Sequence, residues 1–158
     1  MSEINVRIAH SADFPQLIAM VRDFYVEDQI PYIAERVETG LQTLLEQPSC
    51  GAVLLLQDGD CVVGYITLGW CFSVEQGGRF VLLDELYLGP AARGRGWGRQ
   101  ALGLARDWAA GQGAAVIRLE VNHHNAKAKA LYLSAGYGDD ERDILTLSLN
   151  GAPGRLHS

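Results

Sequence analysis

The sequence predicts a mixed α+β (α/β) layer structure, not a purely parallel sheet, and three observations predict it. Apolar residues recur at helical spacing in two stretches near the start, strand-like runs separated by turn signals fill the middle, and a strand–helix–strand crossover follows. At 158 residues the chain has the size of one domain, read as residues 1–150 with a frayed Gly- and Pro-bearing tail over 151–158.

The elements follow in order. Ile4 to Ala9 alternates as an edge-like strand. Ser11 is placed to cap a helix carrying Phe14, Leu17, Ile18, Val21, Phe24 and Tyr25 on one stripe, and Pro31 ends that stretch. Val37, Leu41, Leu44 and Leu45 repeat the spacing as far as Pro48. Ala52 to Gln57 is a short apolar strand, and Asp58-Gly59-Asp60 turns it into a second strand from Cys61 to Trp70. Gln76-Gly77-Gly78 turns again into a third long strand, Arg79 to Leu88. After Pro90 and a glycine-rich loop, Ala101, Leu104, Ala105 and Trp108 mark a helix closed by Gly111 and Gly113. Ile117, Leu119 and Val121 alternate as a strand. Ala128, Leu131, Tyr132 and Ala135 form a short helix ended by Gly136, and Ile144 to Leu149 is the last strand.

Composition narrows the classes. Hydrophobic content of 48% and charged content of 20% suit a soluble globular protein. No apolar run approaches the ~18 residues of a membrane helix, and Met1-Ser2-Glu3 does not open a secretion signal. The expectation is a cytoplasmic protein with no membrane partner. Cys50, Cys61 and Cys71 show no CxxC spacing and read as small core fillers in a reducing compartment. A net charge of −6 argues against nucleic acid as partner and favours a cationic substrate.

The sharpest feature is Leu82 to Leu102, LLDELYLGPAARGRGWGRQAL, where a strand runs into a loop with glycines at alternate positions that opens a helix. Glycines let backbone approach a ligand, and the first N–H groups of a helix lack intrahelical partners. Together they cradle phosphate oxygens, with Arg93, Arg95 and Arg99 adding charge, so a pyrophosphate-bearing cofactor is the natural occupant. A P-loop needs a Lys that is absent here. A Rossmann fingerprint fails at Arg99, although Glu120 stands at a fitting distance for a ribose contact; too little chain follows for the rest of such a sheet.

Arg93-Gly94-Arg95-Gly96-Trp97-Gly98 resembles the acetyl-CoA motif Q/R-x-x-G-x-G/A of the GNAT superfamily of N-acetyltransferases. Asn125-x-x-Ala128-x-x-x-Tyr132 followed by Gly136-Tyr137 resembles that family's second cofactor segment. Trp97 departs from the family, which carries a small aliphatic residue there. The resemblance implies a central mixed, mostly antiparallel sheet with splayed middle strands, flanked by about four helices. It further implies acetyl-CoA as co-substrate and no metal. Pantetheine would pair with the backbone of Leu86 and Leu88, pyrophosphate would sit on N–H groups from Arg95 to Arg99, and the thioester would lie near Leu86 and Tyr87.

Direct transfer needs a neutral amine, and with an amine pKa of ~10.4 only about one molecule in 10³ is neutral at pH 7. Asp84 and Glu85 are the candidate proton acceptors. In an unbroken strand they point to opposite faces, so one at most faces the acceptor. Asp84 is favoured, because some polyamine- and small-amine-acetylating relatives carry a carboxylate there. The resemblance makes Tyr132 the acid for the departing thiolate and brings Asn125 to the cofactor as well as to its helix cap. Tyr132 also falls on an apolar stripe, where packing alone accounts for a tyrosine.

His123-His124 do not share a coordination direction, so no metal is expected. No GxSxG elbow is present. Trp70, Phe72 and Tyr25 are candidates to line the acceptor site, whose identity depends on Tyr25 to Glu46 and Phe72 to Arg79. The expected activity is acetylation of a primary amine of a small molecule. A protein or peptide amine, a non-catalytic acyl-CoA-binding regulator and a Rossmann-type nucleotide module are the alternatives. Homodimers are common among similar proteins, and no feature of this sequence decides the matter.

Overall fold

A strand apolar at nearly every position needs cover on both of its faces, and the run Gly51–Asp58 receives it. The computed structural model, which describes residues 3–150, arranges the chain as β1 (Asn5–Ile8), a 3-10 turn (Ser11–Asp13), α1 (Phe14–Glu27), α2 (Ala34–Glu46), β2 (Gly51–Asp58), β3 (Cys61–Ser73), β4 (Gly78–Leu88), a 3-10 turn (Pro90–Ala92), α3 (Trp97–Gly111), β5 (Ile117–Leu119) and α4 (Ala126–Ser134). The tail expected over 151–158 lies outside the described residues.

The sheet runs β1-β2-β3-β4-β5, antiparallel throughout except for the parallel pair β4–β5. Alternation then sorts the core into two halves. Leu54, Leu56, Ile66, Leu68, Val81 and Leu83 face α3, where Trp97, Ala101, Leu102, Ala105 and Ala109 are buried. Val53, Leu55, Tyr65 and Tyr87 face the other way, against Leu17, Ile18 and Val21 of α1 and Leu41 of α2. The result is a mixed α/β sandwich of helix, sheet and helix layers. No helix among the described residues is long and apolar enough to cross a membrane.

Three expectations fail locally. Ser11 does not cap α1; it opens the 3-10 turn, and the Asp13 carboxylate accepts the His10 N–H at 2.7 Å while pairing with Arg7. The cysteines are not core fillers: Cys50 and Cys61 are exposed and Cys71 half-buried, because they fall at strand ends and near the β3–β4 hairpin. The last strand does not form. Ile144 to Leu149 has no regular secondary structure among the described residues, and Leu145, Leu147 and Leu149 are 92%, 82% and 89% exposed. A strand needs a partner edge to satisfy its backbone, and alternation alone does not supply one.

Candidate active site

The register of β3 and β4 positions the site. Tyr65 pairs with Tyr87 and Thr67 with Glu85, but Leu68 pairs with Leu83, so Asp84 is an extra residue in β4. This β-bulge resets the alternation: Leu83 faces α3, and two residues later Glu85 faces α1. The expectation that Asp84 and Glu85 take opposite faces was for an unbroken strand, and the bulge removes that condition; Glu85 is the carboxylate that meets α1. The charges of both carboxylates act on the Tyr65 phenol.

Glu85 is held from two elements. Its carboxylate accepts hydrogen bonds from the Tyr25 hydroxyl of α1 at 2.5 Å and from the Tyr65 hydroxyl of β3 at 2.9 Å. Burial first, and then Glu85, push the Tyr65 phenol far above its ordinary range. Phe24 and Tyr87 meet at 5.8 Å with tilted planes, and Tyr25 meets Tyr32 edge-on at 6.0 Å, so the tyrosine that holds Glu85 from α1 belongs to an aromatic group. The Thr67 hydroxyl, opposite Glu85, is buried with no hydrogen-bond partner among the described residues.

Beyond Leu83 the sheet opens. β5 pairs with β4 only from Val81 to Leu83, whereas β4 runs on to Leu88. At the mouth of this gap lies a polar cleft of about 340 Å³ lined by Glu27, Asp28 and Gln29 at the end of α1 and by Asn122, His124 and Asn125 before α4. Gln29 has a left-handed backbone, φ 54°, rare outside glycine. Asp23, Glu27 and Asp28 sit at the C-terminal end of α1, where the helix dipole disfavours acids. That placement is the signal in the sequence for carboxylates serving something other than the helix.

The glycine loop has the conformation a cradle requires. Gly94 and Gly96 are left-handed at φ 73° and 74°, and a Cβ added at either would meet nothing within 4 Å. Gly96 caps α3, so the N-terminus of that helix opens directly off the loop. Gly98 has a different reason: its Cβ would stand 3.2 Å from Leu131 Cδ2, which keeps α3 close to α4. Trp97 is 2% exposed and belongs to the core under the sheet, with the Arg95 guanidinium stacked 4.8 Å over its ring. Arg93 does not extend into the loop. It donates to the Leu88 carbonyl at 3.0 Å and pairs with Glu27 at 2.6 Å, clamping the end of β4 to α1. Arg99 lies exposed in the first turn of α3.

On the far side, Asn125 caps α4 by accepting the Ala128 N–H at 3.1 Å. Tyr132 is half-buried and meets Tyr137 edge-on at 6.2 Å. Burial, with a smaller contribution from the charge of Asp28, pushes its phenol up, so it holds its proton at neutral pH. Of the other sequence candidates, Tyr25 joins the Glu85 cluster, but Trp70 packs against Trp108 at 6.2 Å on the α3 face and Phe72 is exposed by the hairpin. His123 pairs with Asp143 while His124 lines the cleft. Tyr65, Thr67, Glu27 and Asp28 were missed because pattern alone reads them as core or helix surface.

A cofactor with a diphosphate fits this architecture: open space lies over two left-handed glycines, and a helix starts at their edge. Comparison with known proteins shows the family. The profile of the Acetyltransferase (GNAT) family matches residues 16–137. An uncharacterized N-acetyltransferase of Bacillus subtilis, YhfO, is 30% identical over 140 residues, which cover 87% of this chain and 91% of that protein. Thialysine N-epsilon-acetyltransferase of Sus scrofa is 26% identical over 148 residues, covering 88% and 86%. Among solved structures, the aminoglycoside N-acetyltransferase AAC(6')-Iy in complex with CoA superposes with a TM-score of 0.76 at 14% identity, covering 94% of this chain and 96% of that one.

Proposed function

This chain belongs to the Acetyltransferase (GNAT) family, and we propose that its acceptor is a primary amine of a small molecule, acetylated by direct transfer from acetyl-CoA in a ternary complex. The observation that carries the proposal is the bulge at Asp84. It sets Asp84 next to Glu85, whose carboxylate meets Tyr25 of α1 and Tyr65 of β3, in a strand that borders the opening of the sheet, and both charges act on the Tyr65 phenol. Such a concentration of negative charge draws in a cationic amine. The names of the relatives, a thialysine acetyltransferase and an aminoglycoside acetyltransferase, support an amine of this kind.

Acetyl-CoA supplies the activated acetyl group when bound. The backbone around Gly94, Gly96, Gly98 and Arg99 would hold its diphosphate, with Arg95 adding charge, and the β4 edge at Leu86 and Leu88 would pair its amides, with Tyr87 beneath on the α1 side. Asn125, which caps α4, would approach the cofactor as well.

The chain's own groups then divide the proton work. Glu85, fixed by two phenols, is built to orient the ammonium, and Thr67 adds a hydrogen-bonding group on the same face. Asp84 takes the proton that must leave before the nitrogen can attack, through water. Tyr132, which keeps its proton at neutral pH, would protonate the departing thiolate.

The test is release of free thiol from acetyl-CoA with a panel of polyamines, diamino acids, aminoglycosides and lysine peptides. Turnover with small amines supports the proposal. Turnover confined to peptides replaces it with a protein acetyltransferase, and CoA binding without turnover on any amine replaces it with a regulator. Asp84→Asn should lower kcat most near neutral pH, by about 10²-fold. An unaltered pH–rate profile removes Asp84 as the base.

A further inference from the structure

The backbone at the end of β4 shows which of its groups face the gap in the sheet. The Gly89 N–H donates to the Val63 carbonyl of β3 at 2.8 Å. The Leu88 carbonyl belongs to the same peptide unit as that N–H, and no peptide bond among the described residues is cis. The two groups of a trans peptide point in opposite directions, so the Leu88 carbonyl points away from β3. On that side β5 has left the sheet, because its pairing with β4 ends at Leu83. The Leu88 carbonyl is therefore an acceptor aimed into the gap, where a strand-like ligand would find it.

Arg93 takes that acceptor. Its Nε–H donates to the Leu88 carbonyl at 3.0 Å, the length of a ladder hydrogen bond. The rest of the guanidinium is held from α1 and from β4. Its Nη2 donates to the Glu27 carboxylate at 2.6 Å, and its carbon lies 5.9 Å from the centre of the Tyr87 ring. A strand added to β4 lies only about 4.8 Å away, so its amide nitrogen and the Arg93 Nε compete for one oxygen and the space before it. Both Arg93 and Glu27 are partly exposed, and an ion pair of that kind is weak enough to be displaced.

We propose that Arg93 is a displaceable latch on the cofactor site: it occupies the Leu88 carbonyl, Glu27 holds it there, and a pantetheine arm binds only as the latch leaves. The proposal rests on the reading that the cofactor's amides pair along β4. It divides the cofactor into two halves. The nucleotide half needs the glycine loop alone, whereas the pantetheine half must first displace the guanidinium. The apparent affinity for the whole cofactor is then lowered by the fraction of molecules in which the latch is closed. Glu27 sets that fraction from α1, without touching the cofactor.

Glu27→Gln keeps the size of the side chain and removes the charge that holds Arg93. By calorimetry it should bind CoA about 5-fold more tightly than the wild type, the change expected for releasing one exposed ion pair. Phospho-ADP, the nucleotide half of CoA without its pantetheine arm, should bind both proteins within about 2-fold of each other at about 0.15 M salt. In the wild type, a through-hydrogen-bond NMR coupling between Arg93 Nε and the Leu88 carbonyl carbon should vanish at saturating CoA. Three results overturn the latch: CoA affinity unchanged or lowered in Glu27→Gln, an equal gain for CoA and phospho-ADP, or a coupling that survives saturation. A wild type that binds neither CoA nor phospho-ADP removes the cofactor reading itself, and the latch with it.

Discussion

Burial raises the Tyr132 phenol, and a phenol that stays protonated at neutral pH has a proton to give. Its recipient, a thiolate whose conjugate acid is near ~8.5, leaves with little help. Tyr132→Phe should therefore lower kcat by only about 10-fold while changing acetyl-CoA affinity much less. Calorimetry beside steady-state kinetics separates the two, and a loss of thermal stability with kcat intact would reduce Tyr132 to packing. Trp97 poses the opposite case. Its indole, 2% exposed in the core under the sheet, fills space from the first turn of α3, so the departure from a small aliphatic residue is a matter of volume. Trp97→Ala should cost about 3–5 kcal/mol by denaturant unfolding. A cost under about 1 kcal/mol would mean the surroundings collapse around the gap.

At the scale of elements, most of the fold was legible because burial imposes a period. The stripes of α1 to α4 and the runs of β2 to β4 stand close to where 3.6- and 2-residue spacings put them. What pattern could not reveal was a change of period inside a strand. Leu82-Leu83-Asp84-Glu85-Leu86 reads the same with or without a bulge, and the bulge decides which face each carboxylate takes. Nor could alternation at Ile144 to Leu149 say which edge, if any, the run joins. The glycine loop was legible as a cradle, but not the division of labour within it. Gly94→Ala and Gly96→Ala enter open space yet force a left-handed backbone, so each should cost about 1–2 kcal/mol and weaken acetyl-CoA binding. Gly98→Ala asks only that the end of Leu131 move by a few tenths of an ångström. It should change stability by less than about 1 kcal/mol, because the helix gains what the contact loses. Equal losses at all three positions, measured by denaturant unfolding, would refute this division.

For the molecule as a whole, pH stability has two unequal limbs. The carboxylates held low, Asp13 by Arg7, Glu75 by Arg142, and Asp139 by Lys129, form exposed pairs, so their contribution, lost as pH falls below about 4, is small. The tyrosines work the other way. Tyr65, Tyr87, Tyr132 and Tyr137 are all raised, in each case first by burial, which disfavours the phenolate. A group whose folded pKa exceeds its unfolded value stabilises fully below the unfolded value, about 10 for a phenol, and loses that stabilisation as pH rises through the folded one. Above pH ~10 the unfolded chain releases these protons while the folded chain retains them, so unfolding grows more favourable with each further step in pH. The melting temperature should hold from neutral pH to about 9 and then fall steeply. Tyr65 sits deepest and beside two carboxylates, so it should contribute most to that slope. Tyr65→Phe gives up the hydrogen bond to Glu85 and should melt lower at pH 7, yet lose less on going to pH 11. If wild type and variant decline in parallel over that interval, the alkaline limb does not come from the buried phenol of Tyr65.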